Sequence, residues 1–425
     1  MMNIPETSDP RIIVIGGGFA GISFIKKLQK EKVQIVLFDR HNYHTFQPLL
    51  YQVSTAGLEP DSIAYPLRKI FRRNEDFHFR MAEVNFVDTI NNSITTSIGT
   101  LHYDYLVIAT GTRTNFFGNE SIAQNSMPMK TVPQALDIRS LILQNIEKAD
   151  ITSDEKDRKR LLNFVIAGAG PTGVELAGAL AEFRKGILEN DYPELDEDEM
   201  NVHLIEGQNR VLPPMSETAS KKAQKFLEKL GVQIHLETFI SDFDGKTVTT
   251  KDGKKFETAT FIWAAGVTGA PIKGINGEAL VEKANRYKVD KFNKIIGLQN
   301  VFALGDIALM ESAEHPKGHP QVAQPAIQQG KHLGKNFKRF LKGENMEIFK
   351  YFDKGTMATV GRNKAVVDFG KMQFGGAIAW FLWMFVHLWF LVGFRNRVVT
   401  FINWTYSYIN YDRAARLIIR PFKKG

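Results

Sequence analysis

Two glycine-rich turns hold the residues of this sequence that are best suited to chemistry. Each follows a short apolar run with the spacing G-x-G-x-x-G, and the glycines are Gly16, Gly18 and Gly21 in the first turn and Gly168, Gly170 and Gly173 in the second. The first glycine permits a sharp bend from strand to helix, the second lets backbone approach a pyrophosphate, and the third lets helix and strand pack closely. The helix N-terminus then offers N–H groups to phosphate oxygens. Each turn therefore predicts a dinucleotide site.

An acidic residue completes each of the two patterns. The apolar run Val33–Phe38 ends at Asp39, and the run Val202–Ile205 ends at Glu206. A carboxylate at the end of the second strand accepts hydrogen bonds from the hydroxyls of a ribose. In a nicotinamide site it also repels a 2′-phosphate, so Glu206 favours NADH over NADPH. The alternative is that the glycines serve only turns and the acids only end strands. The double occurrence of strand, helix, strand and acid disfavours that alternative.

The elements that must position these residues also occur twice. Tyr105–Ile108 runs into Ala109, Thr110 and Gly111, and Thr260–Trp263 runs into Ala264, Ala265 and Gly266. Two copies of one βαβ module are therefore predicted, which gives an α/β fold with two Rossmann-like dinucleotide-binding domains. The acidic stretch 189–199 interrupts the second copy and is predicted to be a solvated surface insertion.

A third apolar run, Val301–Leu304, delivers Gly305 and Asp306 at its end. Asp306 at that position is suited to bond the ribityl chain of a flavin. In isolation, such a Gly-Asp turn would be unremarkable.

The composition limits the possible redox chemistry. The chain has 425 residues, enough for two or three domains, and contains no cysteine. A disulfide framework, a cysteine zinc site, a Cys-ligated iron–sulfur cluster and a redox-active cysteine pair are therefore excluded. We expect the redox chemistry to reside in a bound organic cofactor, and we expect no metal. The first ten residues show no targeting pattern.

Together these residues resemble the two-dinucleotide-binding flavoproteins that include the pyridine nucleotide-disulfide oxidoreductases. Within that superfamily the chain is similar to the type II NADH:quinone oxidoreductases. The resemblance is carried by Phe46–Val53, by Gly173–Ala177, by Ala323–Gly330 with its A-Q-x-A-x-Q pattern, and by the C-terminal stretches Val386–Leu388 and Gly393–Arg397. Asp39 departs from the family, because many relatives carry Glu there.

The resemblance implies FAD in the first module and NADH in the second, with the FAD domain split by the inserted NADH domain. The predicted domains are residues 10–120 and 268–340 for FAD, 121–267 for NADH and 341–425 for a C-terminal membrane-anchoring region. The residues implied to bind the cofactors are Gly16, Gly18, Gly21, Asp39, Gln47, Leu50, Thr110, Gly111, Gly168, Gly170, Gly173, Glu206, Ala265, Gly266, Gly305, Asp306 and Gln324.

The resemblance also implies three catalytic residues, Glu175, Gln324 and Gln328. Glu175 is implied to lie near the contact of nicotinamide and flavin, where it either positions the nicotinamide or relays a proton. Its alternative role is that of an acid in the first turn of a helix, favoured there by the helix dipole. Gln324 and Gln328 have helical i, i+4 spacing, and neutral amides can bond a quinone carbonyl without placing a charge in an apolar tunnel. Their alternative role is an ordinary polar helix surface.

The C-terminal region carries an apolar segment and a basic tail. The 21 residues from Phe374 to Phe394 include no Lys, Arg, Asp or Glu. A segment of this length could span a bilayer, lie on its surface, or form a buried helix pair. After Phe394, one acidic residue, Asp412, opposes the basic residues Arg395, Arg397, Arg413, Arg416, Arg420, Lys423 and Lys424. A single span would put this tail on the far side of the membrane, which the positive-inside bias disfavours. We therefore predict monotopic attachment to the cytoplasmic face of the cell membrane.

Two other functions share parts of this pattern. One is a soluble NAD(P)H flavin reductase that uses a protein or another small acceptor, which the apolar segment disfavours. The other is a binding flavoprotein, similar to apoptosis-inducing factor, that grips nucleic acid. Because six of the eight net positive charges lie in the tail beside the apolar segment, we expect a lipid surface and no nucleic acid as the partner. The sequence shows no charged transmembrane relay, so proton pumping is not expected. It leaves open which quinone is used and whether the chain forms a homodimer.

Overall fold

The longest β-branched runs of the chain form parallel strands that are buried on both faces. In a computed structural model, which describes residues 2–72, 76–370, 372–410 and 415–423, Ile12, Ile13 and Val14 have no exposed surface. Such continuous apolar strands are typical of a parallel sheet covered by helices on both sides. Arg413 and Lys424 of the basic tail, and Asp412, lie outside the described residues.

The chain divides into two compact units, and each is assembled from separate stretches of sequence. The first unit comprises Met1–His44, Tyr65–Arg113 and Val267–Asp353, and the second comprises Thr45–Ala64, Thr114–Gly266 and Lys354–Gly425. The domain boundaries predicted from the sequence stay predictions.

The first unit is built on a five-stranded parallel sheet. Its strands, in spatial order, are Val301–Ala303, Tyr105–Ile108, Arg11–Ile15, Gln34–Asp39 and Phe77–Met81. The helices Phe19–Leu28 and Ala323–Phe340 pack together on one face, and Leu67–Phe71 adds a short helix. The smaller three-stranded sheets are Val84–Asp88, Ser93–Thr96 and Gly99–His102, and Leu280–Val281, Arg286–Lys288 and Ala308–Leu309.

The second unit repeats this plan. Its parallel sheet has the order Met127–Pro128, Thr260–Trp263, Asn163–Ala167, Asn201–Ile205 and Gln233–His235. An antiparallel sheet follows from Ile240–Phe243, Thr247–Thr250 and Lys255–Glu257. The helices are Leu50–Ser54, Pro60–Ile63, Glu120–Asn125, Val132–Asp150, Glu155–Leu161, Pro171–Phe183, which continues through a π-helical turn Arg184–Leu188, Glu189–Asp191 and Glu217–Lys229.

The predicted acidic insertion forms a surface connection before strand Asn201–Ile205. It contains the short helix Glu189–Asp191 and the helical turn Glu197–Glu199, and no residue of that turn is buried.

The C-terminal region adds a small sheet and two helices to the second unit. The sheet consists of Thr356–Thr359, Ala365–Phe369 and Met372–Gly375, and the helices are Ala377–Phe390 and Phe394–Asn410. The predicted α/β fold, with two Rossmann-like sheets and a C-terminal helical region, is confirmed.

The apolar segment Phe374–Phe394 is not one continuous helix. Gly376 and Gly393, which have φ angles of +91° and +92°, precede the two C-terminal helices. Only glycine adopts such angles without strain, so each marks a change of chain direction. Among the described residues, no helix combines the length and apolar character that crossing a membrane requires.

Candidate functional site

The first glycine turn has the backbone contacts that its sequence pattern predicts. A Cβ at Gly16, whose φ is +108°, would lie 2.3 Å from the carbonyl oxygen of Ala109, and a Cβ at Gly21 would lie 2.1 Å from that of Gly16. By contrast, a Cβ at Gly18 would meet no atom within 4 Å. The turn is therefore closed where strand and helix touch and open beside Gly18. This open space is what a pyrophosphate on the helix N-terminus needs.

Asp39 is held rigidly beside this turn. Its Oδ2 accepts a hydrogen bond of 2.7 Å from the N–H of Gly17, and its Oδ1 accepts one of 2.8 Å from the N–H of His41. Each carboxylate oxygen still has acceptor capacity for a ribose hydroxyl. The position of Asp39 therefore fits the role predicted for it.

Gly305 and Asp306 belong to the same unit. Gly305, with a φ of +72°, donates its N–H to Oε1 of Gln329 over 2.7 Å. The hydroxyl of Thr112 donates to Oδ2 of Asp306 over 3.4 Å, one residue beyond Gly111. Thr110, which precedes Gly111 in the chain, donates a 2.8 Å hydrogen bond from its hydroxyl to the carbonyl of Ala270. The residues predicted for the first module, other than Gln47 and Leu50, therefore lie in one unit.

Two residues of this module were missed by the sequence reasoning. His44 is buried, and its Nδ1 lies 3.1 Å from the carbonyl oxygen of Gly17. Burial lowers the pKa of His44 to about 4, so its ring is neutral, and its Nδ1–H donates a hydrogen bond to that carbonyl. Gln329 lies in the stretch Ala323–Gly330 but is not part of its A-Q-x-A-x-Q pattern. No local pattern marks either residue, because each acts through a partner distant in the sequence.

We predict that Gln329→Leu weakens FAD binding. The substitution leaves the N–H of Gly305 buried without its acceptor, which costs about 1–3 kcal/mol and loosens the turn that carries Asp306. We expect roughly a tenfold or greater rise in the dissociation constant of FAD, measured by titrating the apoprotein. Lys335→Leu, at an exposed position on the same helix, is the matched control. Equal FAD affinity in both variants would show that Gln329 does not support the site.

Gln324 and Gln328 lie one turn apart on the helix Ala323–Phe340. Gln328 bonds the main chain of Phe352 twice: its Nε2 donates to the carbonyl over 2.8 Å, and its Oε1 accepts from the N–H over 3.0 Å. Gln328 therefore holds the segment that ends the first unit. The role of both amides at a quinone stays a prediction.

The second glycine turn reproduces the geometry of the first. A Cβ at Gly168 would lie 2.5 Å from Cα of Ala265, and a Cβ at Gly173 would lie 1.8 Å from the carbonyl oxygen of Gly168. A Cβ at Gly170 would meet nothing within 4 Å. The space for a pyrophosphate is therefore open at the equivalent position. Gly266 follows Ala265 and accepts a hydrogen bond from the N–H of Asn115.

Glu206 occupies the place that Asp39 has in the first module. Its Oε2 accepts a 2.7 Å hydrogen bond from the N–H of Ala169, and its Oε1 accepts one of 2.9 Å from the N–H of Gln208. In both modules, therefore, two main-chain N–H groups hold the carboxylate. One belongs to the residue between the first two glycines of the turn, and the other to the residue two positions after the acid.

Glu175 lies deep in the second unit, on the helix Pro171–Phe183. Burial raises the pKa of its carboxyl to about 8, and the N–H of Thr359 and the indole N–H of Trp383 offset only part of that rise. The Thr359 N–H lies 3.5 Å from Oε1 of Glu175. Among the described residues, the buried indole N–H of Trp383 has no hydrogen-bond partner of normal geometry. Glu175 is thus mostly protonated at neutral pH, so it is not the exposed helix-surface acid that the sequence left open.

We predict that the stability of the chain reports the protonation of Glu175. Below pH 4.5 the folded and unfolded states are both protonated, and between pH 4.5 and about 8 only the folded state keeps the proton. The unfolding free energy therefore falls as pH rises through this window. Glu175→Gln has no such proton, so its stability does not fall in this way. The melting temperature of the variant minus that of the native chain is therefore expected to increase by several degrees from pH 5 to pH 8. A constant difference across this range would contradict the burial of the carboxyl in its acid form.

Gln47 and Leu50 both belong to the second unit. Gln47 begins the short 3₁₀ turn Gln47–Leu49 and is exposed, and Leu50 begins the helix Leu50–Ser54 and is buried. Their role at the flavin stays a prediction.

Comparisons with known proteins agree with this geometry. The family model of the pyridine nucleotide-disulphide oxidoreductases matches residues 10–330, and that of the NDH2 C-terminal domain matches residues 354–410. The chain is 36% identical to the type II NADH:quinone oxidoreductase Ndh of Mycobacterium tuberculosis over 417 residues, which cover 95% of this chain and 89% of the relative. It is 30% identical over 369 residues to the type II NADH:quinone oxidoreductase of Staphylococcus aureus, covering 85% of this chain and 90% of that protein.

A solved structure shares the fold over nearly the whole chain. NDH2 from Plasmodium falciparum in complex with NADH superimposes with a TM-score of 0.89 at 21% identity, covering 97% of this chain and all of the other. From the two matched family models and the identity to the curated relatives, the chain belongs to the type II NADH:quinone oxidoreductases, within the pyridine nucleotide-disulphide oxidoreductase family.

Proposed function

We propose that this chain oxidises NADH and reduces a quinone, with FAD as its bound redox group. The observation that carries the proposal is the pair of glycine turns, each with a carboxylate fixed beside it and an open space at its middle glycine. When bound, FAD accepts a hydride from NADH and passes two electrons to the quinone. We further propose that this transfer is not coupled to proton pumping.

The residues of the first module hold and orient the flavin cofactor. The helix N-terminus at Gly18 receives the pyrophosphate, and the fixed carboxylate of Asp39 accepts hydrogen bonds from the ribose hydroxyls. Asp306, whose turn is supported by Gln329 and Thr112, bonds the ribityl chain.

The residues of the second module bind NADH and exclude its phosphorylated form. Gly170 leaves space for the pyrophosphate, and Glu206 accepts hydrogen bonds from the 2′- and 3′-hydroxyls of the adenosine ribose. Because the Glu206 carboxylate is fixed by two main-chain N–H groups, it cannot turn away from a 2′-phosphate.

Glu175 supplies a proton or a hydrogen bond close to the reacting groups. A buried carboxyl with a pKa of about 8 is mostly in the acid form at pH 7, so it can donate without placing a solvated charge in an apolar site. Gln324 presents a neutral amide to a quinone carbonyl, and Gln328 offers the second N–H of the amide that holds the main chain of Phe352.

Steady-state oxidation of NADH by the purified chain, assayed with a panel of quinones and soluble acceptors, tests the proposed function. We expect a quinone to support the fastest turnover. A strong preference for a protein carrier would overturn the choice of acceptor and favour a soluble reductase.

The two C-terminal helices present an apolar surface to solvent, which we call the apolar face. Its most exposed members recur at helical spacing and are Ile378, Phe381, Phe385 and Trp389 on the first helix and Phe394, Phe401, Ile402 and Ile409 on the second. An exposed patch of this kind marks a membrane or protein contact. Arg397 stacks over the ring of Trp389, which puts a cation at the edge of the face. These features support monotopic attachment to an anionic lipid surface, as proposed from the sequence.

We predict that the double variant Phe385→Ser/Trp389→Ser no longer binds vesicles. Two exposed aromatic side chains contribute about 3–5 kcal/mol when they enter a bilayer, so the vesicle affinity should fall at least about a hundredfold in a flotation assay. Ile90→Ser/Ile151→Ser removes two apolar side chains outside the face that are even more exposed, and serves as the control. If both double variants float like the native chain, the apolar face is not the attachment site.

The proposed side of attachment is the cytoplasmic face. Protease digestion of sealed vesicles of both orientations tests both proposals. Attachment without crossing exposes the first unit and the tail on the same side, and the orientation in which both are cleaved identifies that side. Cleavage of the two parts from opposite sides would contradict monotopic attachment.

A further inference from the structure

A cavity in the second unit lies against the inner surface of the two C-terminal helices. It has a volume of about 440 Å³, within the range of sites for small molecules. The helices Leu50–Ser54 and Pro171–Phe183, the end of the helix Glu217–Lys229 and the turn after Thr356–Thr359 form the rest of its wall. We call it the cation cavity, because four basic side chains line its wall.

Positive charge predominates along its wall. Four cations line it, namely Lys185, Lys229, Arg362 and Lys364, together with the carboxyls of Glu175 and Glu182. Because the pKa of Glu175 is about 8, its carboxyl is mostly uncharged at pH 7. Basic side chains therefore outnumber acidic ones on this wall by four to two, and one of the two acids carries little charge.

Arg362 is held in place at the wall. Its N–H donates to Oε1 of Glu182, its Nη2 donates to the carbonyl of Tyr408, and its guanidinium lies 4.0 Å from the centre of the Tyr408 ring. These contacts fix one cation of the cavity against the second C-terminal helix.

The part of the wall formed by the two C-terminal helices is largely aromatic. It includes Trp380, Trp383, Met384, Trp404 and Tyr408. Trp380 and Tyr408 have ring centres 5.4 Å apart, and those of Trp383 and Trp404 are 5.7 Å apart. The same two helices carry the apolar face on their outer side, so the aromatic wall is next to the surface proposed to meet lipid.

Glu175, which is proposed to act close to the reacting groups, lines the cavity at one point, but the substrates of the proposed reaction do not account for its cluster of cations. A quinone is neutral and needs no cluster of cations, and the phosphates of NADH and FAD are assigned to the glycine turns. A ligand with an anionic head and an apolar tail satisfies both parts of the wall. Inorganic phosphate shares the head but leaves the aromatic part without a partner.

We propose that the cation cavity binds one anionic phospholipid, with its phosphate against Arg362 and the three lysines and its acyl chain along the tryptophans. The inference rests on the proposed membrane attachment only for the source of the lipid. Its phosphate makes charge-assisted hydrogen bonds with the cations.

Titration calorimetry of the full FAD-loaded chain with short-chain lipids below their micelle concentration tests this site. Dihexanoyl phosphatidylglycerol is expected to bind with one molecule per chain, and dihexanoyl phosphatidylcholine and inorganic phosphate at least tenfold more weakly. Lys229→Gln/Lys364→Gln removes two of the cations and should weaken phosphatidylglycerol binding roughly 30-fold, or about 2 kcal/mol. Lys246→Gln/Lys255→Gln removes the same charge from the exposed antiparallel sheet and should leave it unchanged.

Three outcomes would overturn the proposal: equal binding of both lipids, binding of inorganic phosphate as tight as that of phosphatidylglycerol, or full affinity in Lys229→Gln/Lys364→Gln. Lys185→Gln/Lys229→Gln, at two exposed positions, provides a second test if Lys364 proves necessary for folding. Turnover of NADH with a water-soluble quinone is measured on the same samples and should be unaffected by either pair. Loss of turnover in the native chain would contradict the proposed function without affecting the lipid result.

Discussion

Gly21→Ala is expected to yield a chain without FAD, and Gly173→Ala a chain that keeps FAD and no longer binds NADH. The added Cβ would lie 2.1 Å from the carbonyl oxygen of Gly16 in the first variant and 1.8 Å from that of Gly168 in the second. In each case the obstacle is main chain at the turn itself, so the helix must move away from its strand. Displacement at a cost of about 3 kcal/mol lowers cofactor affinity at least about a hundredfold.

The two variants control for each other. The flavin content of the purified protein, measured from its absorbance ratio, should fall only in Gly21→Ala. The dissociation constant of NADH should rise only in Gly173→Ala. Gly18→Ala adds a methyl group that meets no protein atom within 4 Å, so it should weaken FAD binding while leaving the melting temperature of the apoprotein unchanged. Loss of FAD from Gly173→Ala as well would contradict the assignment of separate modules.

Glu206→Gln is expected to remove most of the preference for NADH over NADPH. The native carboxylate is fixed by the N–H groups of Ala169 and Gln208, so a 2′-phosphate must approach a like charge that cannot move away. Two such charges about 4 Å apart repel by about 4 kcal/mol at an effective dielectric constant of 20. The ratio of kcat/KM for the two nucleotides should therefore change by at least about a hundredfold.

The equivalent acid of the first module provides the control. Asp39→Asn has the same loss of charge at a site assigned to FAD, so it should weaken FAD binding and leave the ratio of NADH to NADPH turnover unchanged. If Asp39→Asn alters nucleotide preference and Glu206→Gln does not, the two cofactors have been assigned to the wrong modules.

The parts of the site that the sequence predicts are those built from local patterns. The glycine spacing requires a tight turn, and an acid at the end of the next parallel strand lies beside that turn. For this reason Gly16 and Asp39 could be related to one another, and so could Gly168 and Glu206, before any coordinates were known. The main-chain hydrogen bonds from Gly17 and Ala169 give the physical cause.

Contacts between distant parts of the chain could not be predicted in this way. The N–H that approaches Glu175 comes from Thr359, 184 residues later, and nothing near Glu175 in the sequence indicates that the carboxyl is buried. Gln329 supports Gly305 from a helix on which only Gln324 and Gln328 belong to the family pattern. The apolar run from Phe374 to Phe394 gave no indication that its helix is confined to Ala377–Phe390, because hydropathy alone does not register a change of chain direction.

The central claim is that electrons pass from NADH to FAD on this chain and then to a quinone. Anaerobic addition of NADH to the purified chain, followed by a quinone, tests it most directly. We expect the flavin absorbance band to fall with one equivalent of NADH, with NADPH much slower, and to return when the quinone is added. A band that NADH does not diminish, or that a quinone does not restore, would contradict the account.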